Sequence, residues 1–145
     1  MTTNNDLDAA TVPARPLPPP DDDSLEYWKA AAEHRLVMQR CSSCSTFRFY
    51  PRSICGECQS PEFTWTEVAG TGTVYTYTVV RRAPLDSFRH LVPYVLALVE
   101  LDEGPRMMTN IIDAVDDVHI GQRVTVAWTE LTPDVSLPVF RAAGG

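Results

Sequence analysis

Cys41-Ser42-Ser43-Cys44 is followed, after ten residues, by Cys55-Gly56-Glu57-Cys58. These are the only four cysteines of the chain, and they decide how its middle must fold. Two C-x-x-C knuckles facing each other set four thiolates at the corners of a tetrahedron, the geometry of structural zinc. The ten residues between them are short for such a site but long enough for a hairpin that returns one knuckle to the other. Gly56 eases the second turn. Two rival readings are weaker. Disulfides belong to oxidising compartments, and a dithiol redox site would need one C-x-x-C on a thioredoxin-like α/β frame. A Cys₄ site has no open coordination position, so the expected Zn2+ is structural and not catalytic. The metal has a purpose, because a module of about 30 residues cannot build a sufficient core alone. Phe47, Phe49, Tyr50, Ile54 and Phe63 supply its modest apolar packing.

C-terminal to the knuckles, the pattern changes to strands. Val74, Thr76, Thr78 and Val80 alternate with Tyr75, Tyr77 and Val79. Further strands are expected at 94–101, 106–112, 123–131 and 137–141, with a tight turn at Asp102-Glu103-Gly104-Pro105. Gly70-Thr71-Gly72 reads as a bend into the first strand. Five short strands suggest a small closed or partly closed barrel, the OB-type Greek key being the natural candidate. Strand periodicity alone does not distinguish such a barrel from a small sandwich. The expected fold class is mainly β: an N-terminal helix, a rubredoxin-like zinc ribbon, then a five-stranded OB-fold barrel.

N-terminal to the knuckles, a short helix is expected over 23–35. Asp23 would cap it with Glu26 as its capping-box partner. Leu25, Trp28, Ala32 and Leu36 would form its apolar stripe, with Tyr27, Ala30 and Ala31 broadening that face. That stripe could pack on its own domain or dock on another subunit. Residues 1–22 read as a disordered leader, with five of the twelve prolines in 13–20 and acids at Asp21 to Asp23. The organisation is thus leader 1–22, helix 23–35, zinc ribbon 36–66 and barrel 67–145.

Composition narrows the function. The 145 residues carry a formal charge of −7 and are 44% hydrophobic, ordinary for one globular domain or a domain with a small module. The start of the chain is polar and acidic, unlike a secretory signal, and no stretch suits a membrane span. The expected location is cytoplasmic, with no membrane partner. Charge is uneven. Residues 1–24 hold five aspartates and one arginine, 35–89 hold seven arginines against four acids, and 90–145 hold three arginines against eight acids. The low pI near 4.8 and the single lysine argue against nucleic acid, although OB barrels often bind it.

The usual signatures of independent catalysis are missing: no G-x-S-x-G elbow, no H-E-x-x-H and no phosphate-binding G-x-x-x-x-G-K-[ST] loop. His34, His90 and His119 are scattered, and zinc would commit every thiol. The locally positive stretch contains the candidate contact residues Arg81, Arg82, Phe88, Arg89 and His90, around an expected loop at 83–92. Arginines beside an aromatic ring could hold phosphates and stack an adenine, as a coenzyme A thioester would require. They could equally pair with the chain's own carboxylates.

Taken in order, Tyr27-Trp28, the lead-in 35–40, Phe49-Tyr50-Pro51-Arg52, the knuckles, Trp65, 70–75, Pro93-Tyr94-Val95, 101–104 and Ile120-Gly121 resemble the acyl-CoA-associated zinc-ribbon/OB-fold family, long catalogued as a domain of unknown function. The resemblance covers about 25–141. It implies a small non-catalytic subunit beside a thiolase-fold enzyme or a hot-dog-fold hydratase acting on acyl-CoA thioesters. In the steroid-degrading branch of lipid metabolism, the partner is a thiolase-like aldolase (a lyase) that cleaves a side-chain β-hydroxyacyl-CoA by a retro-aldol step. Other members resemble partners of ketothiolases or acyltransferases. The implied assembly is a heteromer, a heterotetramer being one arrangement, in which the partner supplies the catalytic residues. The family pattern carries over residue by residue only to Cys41, Cys44, Cys55 and Cys58 as zinc ligands. A stand-alone acyl-CoA binding protein is the alternative.

Overall fold

A computed structural model describes residues 14–19 and 21–144. Most of the expected leader, 1–13 and 20, therefore lies outside the described residues. Residues 14–19 have no regular secondary structure.

Helix α1 spans Leu25–Ala32. Its start differs from the expected capping box. Ser24 is the N-cap, without a side-chain cap bond, and Asp21 Oδ1 accepts hydrogen bonds of 2.8 Å from both the Ser24 amide and the Ser24 hydroxyl. The carboxylate three residues before Ser24 organises the entry, so Asp23 and Glu26 are not needed for it. Only part of the expected apolar face is buried. Tyr27, Ala30 and Ala31 are buried, whereas Leu25 is 51% exposed and Ala32 is exposed. Tyr27 turns that face inward because it enters an aromatic cluster on the ribbon, with its ring 5.8 Å from those of both Phe49 and Tyr50. Trp28 Nε1 donates to the Tyr50 hydroxyl at 3.0 Å. The helix stops at His34, whose φ of 60° is the left-handed terminator conformation. The Arg35 amide returns to the Ala30 carbonyl at 2.9 Å. The His34 ring lies flat on Trp128, 5.3 Å between centroids at an interplanar angle of 2°.

The ribbon is a three-stranded antiparallel sheet of β1 (Val37–Cys41), β2 (Phe47–Arg48) and β3 (Phe63–Glu67), in the order β2-β1-β3. One side of it holds a polar contact in place of apolar packing. Buried Gln39 accepts, through Oε1, from Arg48 Nε at 2.8 Å and from the Arg52 amide at 2.9 Å. The Arg48 guanidinium stacks on Phe63 at 4.8 Å.

The barrel comprises β4 (Thr71–Val80), β5 (Tyr94–Leu101), β6 (Arg106–Ile111), β7 (Arg123–Thr132) and β8 (Val135–Ala142). It closes in the order β4-β5-β6-β8-β7. Tyr94 to Leu101 alternates between half-exposed and buried positions, so β5 is a barrel wall with one face to the core. All pairings are antiparallel except β6–β8, a parallel contact at Ile111↔Phe140. Pro138 limits that contact, because it offers no N–H to β6. Its carbonyl still accepts from the Thr109 hydroxyl at 3.1 Å. At the other end Gly72 sits so close to β5 that a Cβ there would lie 2.5 Å from the Glu100 carbonyl oxygen, so only glycine fits. Gly70, at φ 78°, makes the bend before it. Val74, Val95, Val99, Met107, Val124 and Phe140 fill the interior. Leu36, Met38 and Val68 belong to the same buried cluster, so ribbon and barrel share a core.

One ion pair ties three barrel segments together. Arg123 grips Asp102 with two bonds of 2.8 and 2.9 Å, and the Thr71 hydroxyl donates to the same carboxylate. The Arg123 contact, then the Thr71 bond, hold the Asp102 carboxyl below the ordinary carboxylate range.

Candidate metal centre and barrel-side cavity

The two knuckles have the same backbone pattern. In the first, the Ser45 amide donates to the Cys41 carbonyl and the Cys41 amide to Thr46, both at 2.9 Å. In the second, Gln59 donates to Cys55 and Cys55 to Ser60, again at 2.9 Å. The residue after each second cysteine is left-handed: Ser45 at φ 66° and Gln59 at φ 65°. Each turn therefore points both of its sulfurs to one side. The β1–β2 hairpin and the return of the chain to β3 bring the two sides face to face.

All four Sγ atoms lie within 4.8 Å of one another. Cys41 and Cys58 are 3.5 Å apart, and Cys44 and Cys55 are 3.7 Å apart. Four Zn–S bonds of about 2.3 Å at tetrahedral angles place sulfurs about 3.8 Å apart. The residues present therefore fit the metal, and the separations are far beyond the ~2.05 Å of a disulfide. The protonation of the thiols fits as well. The Cys44 amide lowers Cys41, and the Cys58 and Glu57 amides bring Cys55 down to about 6. For Cys58 the Ser60 amide pulls downward, yet the other three sulfurs and burial outweigh it and push the thiol up to about 12. A fourth thiolate is unfavourable beside its neighbours until a cation joins them, and binding a divalent metal removes that conflict. Cys41 and Cys55 are buried and Cys44 and Cys58 exposed, so one edge of the site faces solvent.

The arginine-rich segment is less convergent than the cysteines. Arg81, Arg82, Arg89 and His90 are all exposed on the β4–β5 loop. Arg89 pairs with Asp86 at 3.1 Å. Phe88 turns the other way. Its ring lies 6.0 Å from that of Tyr94, and it helps line a cavity of about 330 Å³. That cavity lies between the β4–β5 loop, the end of β6 and β8. Arg15 contributes to its lining, its guanidinium 5.2 Å from the centroid of Phe88. Arg15 is not among the expected contact residues, and Tyr94 enters the expectation only through the segment Pro93-Tyr94-Val95 and the strand 94–101. One available signal was that Arg15 is the lone cation in the acidic first 24 residues.

Two family models cover this architecture: "ChsH2, rubredoxin-like zinc ribbon domain" over 28–64 and "ChsH2, C-terminal OB-fold domain" over 65–129. A DUF35 domain-containing scaffold protein of Methanocaldococcus jannaschii is 39% identical over 113 residues, covering 76% of this chain and 79% of the relative. The chain belongs to the DUF35 family. It carries that family's ChsH2-type pairing of zinc ribbon and OB-fold barrel. A probable enoyl-CoA hydratase alpha subunit of Thermomonospora curvata is 44% identical over 130 residues; the match covers 89% of this chain but only 40% of that subunit's length. Among solved structures, a chain of the "Ltp2-ChsH2(DUF35) aldolase" superposes with a TM-score of 0.78 at 43% identity, covering 88% of this chain and 99% of that one. The DUF35 ribbon and the four converging sulfurs together support a structural zinc. No helix among the described residues is long and apolar enough to cross a membrane.

Proposed function

We propose that this DUF35 chain is a non-catalytic accessory subunit of a thiolase-superfamily enzyme acting on acyl-CoA thioesters. Within that class the favoured partner is a retro-aldolase that cleaves a steroid side-chain β-hydroxyacyl-CoA. The observation that carries this reading is the 43% identity to a chain of an aldolase complex, of which the match covers 99%. Cys41, Cys44, Cys55 and Cys58 hold Zn2+, which fixes the ribbon beside the barrel. The partner supplies nucleophile and base. Arg81, Arg82, Arg89 and His90 present an exposed face for the partner or its CoA substrate, next to Phe88. The three histidines lie apart in the fold: His34 stacks on Trp128, His90 is exposed in the loop, and the His119 ring bonds the Asp117 carbonyl.

A second reading has its own support. The 44% identity to part of a hydratase alpha subunit favours the same accessory role beside an enoyl-CoA hydratase. One experiment separates the two. The tagged chain is purified from its native cells, stoichiometric partners are identified, and each is assayed with and without it. A thiolase-fold partner that loses aldolase activity when the chain is removed is the expected result. A hydratase partner moves the assignment to the second reading. A partner with full activity and stability alone overturns both.

A further inference from the structure

The cavity beside the barrel has a chemical character of its own. Its volume of about 330 Å³ lies at the low end of small-molecule sites, roughly 300–1,000 Å³. Leu91, Pro93, Val115, Leu137 and Val139 make much of its lining apolar. Asn110 is already engaged, its amide donating to the Val95 carbonyl at 2.9 Å. Beside the hydroxyl-bearing Tyr94 and Thr129, the lining has two formally charged groups of opposite sign, Arg15 and Asp113.

Arg15 is half-buried on a leader stretch that is otherwise mostly exposed. One face of its guanidinium is taken up by Phe88, which leaves the N–H edges for a planar acceptor. Arg35, Arg89, Arg106 and Arg123 each pair with a carboxylate, and among the described residues Arg15 does not. An anion with an apolar body therefore matches the cavity. Asp113 limits the charge of that anion, because a like charge nearby is unfavourable. A doubly charged phosphate suits the site less well than a carboxylate.

We infer that this cavity binds an apolar chain ending in a single carboxylate, with the Arg15 guanidinium holding the head group. Arg15 is then part of a binding site and not merely a residue of a solvated extension. This assignment does not depend on which enzyme the chain accompanies, because every wall of the cavity belongs to this chain.

Calorimetry on the full chain, with decanoate and decan-1-ol as probes at submillimolar concentration, tests it. Saturable 1:1 binding of decanoate is expected, tighter than decanol by roughly fivefold, as a half-exposed charge contact provides. Arg15→Gln should bring the two probes to equal affinity. Leu137→Trp, which fills the cavity, should weaken both together. Absence of saturable decanoate binding overturns the inference, as does a preference for decanoate that survives Arg15→Gln.

Discussion

Asp102 links three segments of the barrel through one side chain. Its carboxylate sits at the β5–β6 turn and receives Arg123 from β7 and Thr71 from β4. These contacts lower its folded pKa below the ordinary 3.8. A group with a depressed folded pKa stabilises the fold fully above its unfolded pKa, and that contribution fades as pH falls below it. Asp102→Asn should therefore lower the urea midpoint at pH 7, and the deficit relative to the unmutated chain should narrow between pH 5 and pH 3. An equal deficit at both ends of that range would mean that the substitution disturbs packing and that the ion pair contributes little. Because both side chains are about half exposed, added salt should reduce the effect.

At the scale of the element, the zinc knuckle repeats itself, down to a left-handed residue directly after each second cysteine. Neither position is glycine, so each carries the strain of a side chain in that region, about 1–2 kcal/mol. Ser45→Gly should recover part of it, raising stability by up to about 1 kcal/mol without changing metal stoichiometry. Thermal unfolding of the zinc-loaded chain reads this. A drop in melting temperature would show that the Ser45 side chain contributes more than its backbone costs. The helix teaches a different lesson at this scale. Its sequence pattern suggested an apolar face through Leu25, Trp28 and Ala32, broadened by Tyr27, Ala30 and Ala31; the aromatic cluster around Tyr27 buries the broadened side and leaves Leu25 and Ala32 exposed. Short helices have little intrinsic stability and take the orientation that tertiary packing rewards.

At the scale of the molecule, ribbon and barrel are coupled through Leu36, Met38 and Val68, which share one buried cluster with the barrel interior. Cys44→Ser leaves three thiolates and should release most of the zinc. Residues 36–66 should then become sensitive to protease, while the barrel persists at reduced stability. Zinc content by mass spectrometry and the cleavage pattern report the two halves separately. Unchanged metal content together with an intact ribbon would rule out Cys44 as a ligand. Loss of the barrel as well would mean that the shared cluster dominates over the barrel's own interior.

Much of this protein was written locally. A tetrahedral metal site needs two turns of fixed length, so the spacing of Cys41, Cys44, Cys55 and Cys58 was sufficient to specify the ribbon. Alternating side chains marked 74–80 as a strand, because the period of two is a property of the extended backbone itself, and apolar runs set off by turn residues marked the other four. The tertiary structure alone decided what depends on distant segments meeting. It placed β8 between β6 and β7, rotated the helix onto the ribbon's aromatic residues, and brought Arg15 against Phe88. It also separated Phe88 from the exposed arginines beside it in sequence. No local period encodes such meetings; they follow from closure of the barrel, which fixes which surfaces remain for the leader, the helix and the loops to cover.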